Sequence, residues 1–104
     1  MKNYPIGNAG AYATLEESVS AYTYCFIDAL SKAGEKHGIT NEQAIKIATQ
    51  LLLGSSKLVS VSGDHPWELV DRVCSPGGTT IEGVASLQSD AFDSKITDAF
   101  DSAL

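Results

Sequence analysis

"AYTYCFIDALSKAGEKHGITNEQAIKIATQLLLGSSKLV", residues 21–59, holds two helical runs with glycines between them. Ahead of and through its first half, Leu15, Val19, Tyr22, Phe26, Ala29, Leu30 and Ala33 recur at steps of three and four. That spacing predicts a helix from Leu15 to about His37. Its middle, "AYTYCFIDAL", is apolar on nearly every face, which calls for burial on two sides. Gly34 or Gly38 is expected to end it, and His37 sits where a partial positive charge suits a helix C-terminus.

The second run opens at Thr40, which forms a capping box with Gln43, while Ile39 and Ala44 offer only a weak hydrophobic staple. Ala44, Ile45, Ile47, Ala48, Leu51, Leu52, Leu58 and Val59 carry the helical period to about Val61. Gly54 interrupts it. In an exposed helix interior glycine costs about 1 kcal/mol relative to alanine, so close helix packing at "GSS" is the expected reason for it.

Outward from these runs the pattern stays helical. Gly63 stops the second helix, and Asp64 or His65 caps a short one with Pro66 in its first turn. That helix, "PWELVDRV", presents Trp67, Val70 and Val73. Thr79 and Glu82 make a second capping box ahead of "IEGVASLQ", and Ser89 or Asp90 is expected to start a last helix faced by Phe92, Ile96, Ala99, Phe100 and Ala103. "DAFDS" recurs at 90–94 and 98–102, an echo that keeps one helix face nearly aligned. No stretch alternates over four to eight residues, so no strand is predicted. The expected architecture is an all-α domain of two long helices and shorter C-terminal ones. The long helices have more apolar surface than one thin bundle would hide, which points to a helical dimer.

A chain of 104 residues fits one domain with a thin core. Its formal charge of −6 and scattered basic residues argue against a nucleic-acid partner. The apolar runs are too short for a membrane span, and "MKNYPIGNAGAY" is too polar for a signal peptide. A soluble, cytoplasmic protein is expected, with Cys25 and Cys74 as reduced thiols and no metal site. Residues 1–13 read as a flexible lead-in, an expression scar or the stump of something upstream, with the domain proper at 14–104. Gly7 and Gly10 lack the third glycine and the preceding strand of a dinucleotide loop.

The chemistry is expected in "SPGGTT", residues 75–80. Gly77 and Gly78 can take positive φ and leave the backbone open to an approaching group. The helix starting near Thr79 has unpaired amide groups and a partial positive charge at that end, a ready site for a carboxylate. Ser75, Thr79 and Thr80 add hydroxyls. The same residues also suit a plain turn followed by a cap.

"HPWELVDRVCSPGGTTIEGVASLQ", residues 65–88, resembles the signature region of the pyrroline-5-carboxylate reductases. Pro66, Leu69, Val73, Cys74, Ser75, Gly77, Gly78, Thr80, Gly83, Val84, Leu87 and Gln88 fall at that signature's spacing. Residues 21–59 look like the two long helices of the family's C-terminal domain. The resemblance implies an interlocked homodimer whose helical domain holds 1-pyrroline-5-carboxylate, while an N-terminal Rossmann domain carries NAD(P)H. It implies that Ser75, Gly77, Gly78, Thr79 and Thr80 bind the substrate, and that Thr80 assists protonation of the ring nitrogen as the catalytic residue. Product and ligand would be L-proline. The Rossmann half is not in this sequence, so the isolated chain is expected to bind no cofactor and to be inactive alone.

One segment departs from the pattern. Where the family has Gly-Ser-Gly-Pro-Ala-Tyr, this chain has Glu17, Ser18, Val19, Ser20, Ala21 and Tyr22. Glu17 adds negative charge near the expected substrate, and Val19 adds bulk. The second reading is therefore a stand-alone, catalytically inactive dimerisation module. Among other residues, His65 reads as a helix-start residue and Cys74 as a signature position rather than a nucleophile. Tyr22, Tyr24 and Phe26 read as core or dimer contacts, and Asp93, Asp98 and Asp101 as a solvated face.

Overall fold

The computed structural model describes residues 8–74 and 76–104. Five helices follow in order: α1 (Ala9–Lys36), α2 (Asn41–Ser62), α3 (Pro66–Val73), α4 (Thr79–Ser89) and α5 (Phe92–Ala103). There is no strand among the described residues, in line with the all-α expectation.

α1 and α2 form the main packed pair; α5 returns against α1, and α4 meets α5. Local chemistry sets the turn between the long helices. Gly38 is left-handed at φ 94°. The Ile39 N–H donates to the Gly34 carbonyl at 3.0 Å and the Gly38 N–H to that of Glu35 at 3.2 Å. These are the two bonds of a Schellman ending. Gly34 lies inside the last turn rather than after it. A Cβ added there would sit 3.1 Å from the Ala44 Cβ, so this glycine lets α2 approach α1.

Polar groups pin the same junction. Ser31 is fully buried, and its hydroxyl donates to the Asp28 carbonyl at 2.7 Å. Asn41, the first residue of α2, donates to Ser31 Oγ at 3.3 Å and to the Glu35 carboxylate. Thr40 caps α2 as expected, its Oγ1 accepting from the Gln43 N–H at 3.2 Å. Replacing Gly38 with alanine should destabilise the fold by about 1 kcal/mol, because a Cβ disfavours the left-handed backbone. Thermal unfolding against Lys36→Ala, on the same turn, checks this.

Three boundaries and one packing expectation differ from the sequence reading. α1 starts at Ala9, so residues 9–13 are helical rather than part of a lead-in; residues 1–7 lie outside the described set. Tertiary packing explains the early start, since Ala11, Tyr12 and Leu15 share a groove with Phe100 of α5. α5 starts at Phe92, not at Ser89 or Asp90. Its cap is Ala91 in the left-handed region (φ 61°), and Asp90 instead closes α4 by donating its N–H to Ser86 O at 3.1 Å. Thr79 does not cap α4. Finally, Gly54 sits inside an unbroken α2, but beyond its own stretch of helix nothing among the described residues comes within 4 Å of where its Cβ would be. The close packing expected there is not made among the described residues.

The core is thinner than the sequence suggested. Its buried apolar residues, among those described, are Ala44 and Ala48. Leu15, Val19, Phe26, Leu30, Ile47, Leu51 and Ile96 all remain more than a third exposed. The chain exposes 8195 Å², against about 5,600 Å² for a folded monomer of its mass. Its radius of gyration is 16.0 Å, where about 13 Å is usual for this length.

Candidate functional site

α3 is held at its start by His65, whose Nδ1 accepts from the Trp67 N–H at 3.1 Å, with Pro66 in the first turn. This is the structural role expected for His65. At the other end Cys74 is extended (φ −99°, ψ 120°), and its N–H donates to Val70 O at 3.0 Å. The backbone then turns through Pro76 and Gly77 into α4.

Only one of the two glycines uses its conformational freedom. Gly77 has φ 73°, where any other residue would be strained. Gly78, half-buried, has φ −79° and ψ 168°, angles open to all residues. Gly78 is the N-cap of α4, and it has no side chain to cap with. The expected Thr79–Glu82 capping box is thus corrected. The left-handed Gly77 completes the turn one residue early, so the extended cap position falls on Gly78 and Thr79 becomes the first helical residue.

That correction bears on chemistry. The first amides of a helix, here those of Thr79, Thr80 and Ile81, have no partner within the helix. Among the described residues no side chain caps them. They form an open set of donors with the positive end of the helix dipole behind them. Thr79 and Thr80 are both exposed, as is Gly77, so the structure brings four of the five expected binding residues together at one accessible helix end. Ser75, the fifth, lies outside the described residues.

No cationic side chain of α3 or α4 is free to share the task. Arg72, the sole basic residue of these two helices, is bonded to Asp64 at 2.8 Å. Glu82, in the first turn of α4, complements the dipole but adds negative charge. An anion here would be held by backbone amides and hydroxyls. Cys25 is exposed and Cys74 half-buried, and both are free thiols. Asp93, Asp98 and Asp101 are exposed on α5, and the described residues contain no group of three His, Cys, Asp or Glu placed to hold a metal ion.

The departing segment lies in α1, which runs unbroken through Glu17, Ser18, Val19 and Ser20. Glu17 is exposed and Val19 is 49% exposed. Tyr24, expected in a core or a dimer contact, is 68% exposed and belongs to no core in this chain. No described helix is long and apolar enough to cross a membrane.

Comparison with known proteins places these features. A family model described as "Pyrroline-5-carboxylate reductase dimerisation" matches residues 9–104. The chain is 44% identical over 82 residues to the pyrroline-5-carboxylate reductase of Escherichia coli strain K12, covering 79% of this chain and 30% of that protein. It is 39% identical over 93 residues to pyrroline-5-carboxylate reductase 2 of Rattus norvegicus, covering 89% and 29%. Among solved structures, 1-pyrroline-5-carboxylate reductase from Streptococcus pyogenes superposes with a TM-score of 0.94 at 35% identity, over 98% of this chain and 39% of that one. The NADP-bound pyrroline carboxylate reductase of Plasmodium falciparum gives 0.93 at 28% identity, over 98% and 41%. The chain thus spans about 30% of the length of its curated relatives. Five helices, a thin core and an uncapped glycine-led helix end fall within one matched region, and the chain belongs to the pyrroline-5-carboxylate reductase family, in its dimerisation domain.

Proposed function

We propose that this chain is the C-terminal dimerisation and substrate-binding part of a cytoplasmic pyrroline-5-carboxylate reductase, working as a homodimer to reduce 1-pyrroline-5-carboxylate to L-proline. The observation that carries the reading is the uncapped start of α4. Gly78 leaves the amides of Thr79, Thr80 and Ile81 open beside two exposed hydroxyls, in a chain of this family.

The substrate carboxylate rests on those amides, and Ser75 and Thr79 add hydroxyl contacts. Thr80 holds a proton at the ring nitrogen through its hydroxyl. Threonine is a weak acid, so its contribution is chiefly orientation. NAD(P)H, carried by a further Rossmann domain, supplies the hydride. The described residues offer the cofactor no glycine-rich strand-to-helix turn.

A second reading, an inactive dimerisation module, is favoured by Glu17 and Val19 in place of the family's glycines. An NMR titration of the labelled chain with L-proline separates the two. Saturable shifts confined to Gly77, Gly78, Thr79 and Thr80 support the substrate pocket. An unchanged loop at millimolar proline favours the module.

A further inference from the structure

α3 delivers the chain to the open end of α4, and little packing holds it. None of its eight residues is buried. It lies outside the main packing of α1 on α2 and α5 and of α4 on α5. A helix this short is marginal by itself. Its start is fixed twice, by the His65 cap on the Trp67 N–H and by Pro66. Neither device reaches its far end.

One contact does. Arg72, in the last turn, bonds to Asp64 at 2.8 Å, and Asp64 precedes the cap residue. Glu68 stands one turn before Arg72, where a helical ion pair is usually made. The guanidinium reaches past it to the half-buried Asp64. The pair thus ties the residue ahead of α3 to the final turn of a helix about 12 Å long. Positive charge there also complements the helix dipole. Only Val73 and Cys74 separate Arg72 from residues 75–80. The Cys74 N–H donates to Val70 O at 3.0 Å, so the entry to the loop hangs from the turn that Arg72 closes.

We propose that the Asp64–Arg72 pair is a positioning clamp, keeping the last turn of α3 closed and so setting where the chain at 76–80 presents its amides. This rests on the substrate-cradle reading and names Asp64 as a positioning residue for it. Asp64 acts through Arg72 and α3, not on the ligand.

The test compares Asp64→Asn, Arg72→Gln, the double variant and Glu68→Gln in the 104-residue chain, with L-proline affinity measured by calorimetry. The sign for Asp64→Asn is decisive. In a chain of net charge −6, removing an acidic group would by its field alone favour a carboxylate at the cradle, and Glu68→Gln would do the same. Loss of the clamp instead weakens L-proline binding about threefold, the scale of an exposed ion pair. Arg72→Gln should match it. The double variant should also lose about threefold rather than about ninefold, because the two residues act as one unit. Glu68→Gln should not weaken binding, and in about 1 M salt the Asp64→Asn deficit should vanish. Amide exchange gives a readout without ligand: Cys74 should exchange about threefold faster in Asp64→Asn, with α1 and α2 unchanged. Unchanged or tighter binding by Asp64→Asn overturns the clamp and leaves the cradle standing. An unaltered chain that does not bind L-proline overturns both. Faster exchange throughout α1 and α2 also overturns the clamp, since the pair then supports the whole fold.

Discussion

Leu51→Asp is expected to abolish the dimer and, with it, most of the stability of the fold. Leu51 is 64% exposed in the single chain, so aspartate costs the monomer little there. In a paired chain the same carboxylate would be driven into an apolar seam without a partner. A penalty of about 4 kcal/mol corresponds to roughly a thousandfold in the dimer dissociation constant. The monomer left behind buries only Ser31, Ala44 and Ala48 among its described residues. Its melting temperature should fall by about 10 °C or more and lose its dependence on concentration. Leu53→Asp is the matched comparison. Leu53 is 67% exposed, but it points to the polar side of α2, and its replacement should leave association within about twofold. Sedimentation equilibrium and melts at two concentrations measure both variants. If Leu51→Asp and Leu53→Asp behave alike, exposure alone governs and α2 forms no interface.

The contrast between these leucines shows what a single sequence could and could not disclose. Helix ends were legible where a residue type does one local job: Thr40 as a cap, Gly38 and Gly63 in left-handed turns, His65 followed by Pro66. Ends set by neighbours were not. The start at Ala9 depends on Phe100, ninety-one positions away in the chain, and Ala91 sits in a left-handed turn that alanine does not advertise. The candidate site was readable as a segment but misread by one residue. "GGTT" satisfies both a threonine cap and a glycine cap, and only the φ of Gly77 decides between them. For Gly54 the expected close packing is not found among the described residues, because helical spacing alone does not say whether a glycine faces another helix or open space. The apolar centre of α1, expected to be buried on two sides, leaves Tyr24, Phe26 and Leu30 more than a third exposed in the single chain.

The glycine cap makes the substrate reading testable by backbone chemistry alone. Thr79→Pro is expected to weaken L-proline binding by about 10- to 100-fold while leaving the helix intact. Proline is favoured at the first helical position, where its missing N–H has no helical partner to lose. The residue before it must be extended, and Gly78 already is, at φ −79° and ψ 168°. The substitution therefore removes one amide donor from the cradle without disturbing α4. A hydrogen bond to a charged group is worth about 1.5–3 kcal/mol, which sets the expected loss. Thr79→Ala keeps the amide and removes only the hydroxyl, so its effect should be several-fold smaller. Calorimetric titration gives the affinities, and far-UV circular dichroism establishes that the helix persists. Thr80→Val in an intact reductase carrying this domain should act differently, lowering kcat by about tenfold or more, because in the proposed function its hydroxyl serves the ring nitrogen rather than the carboxylate. Equal losses from Thr79→Ala and Thr79→Pro would mean that the side chain holds the ligand. An unaffected Thr79→Pro would mean that the open amides of α4 hold nothing, and residues 76–80 are then a turn and a cap.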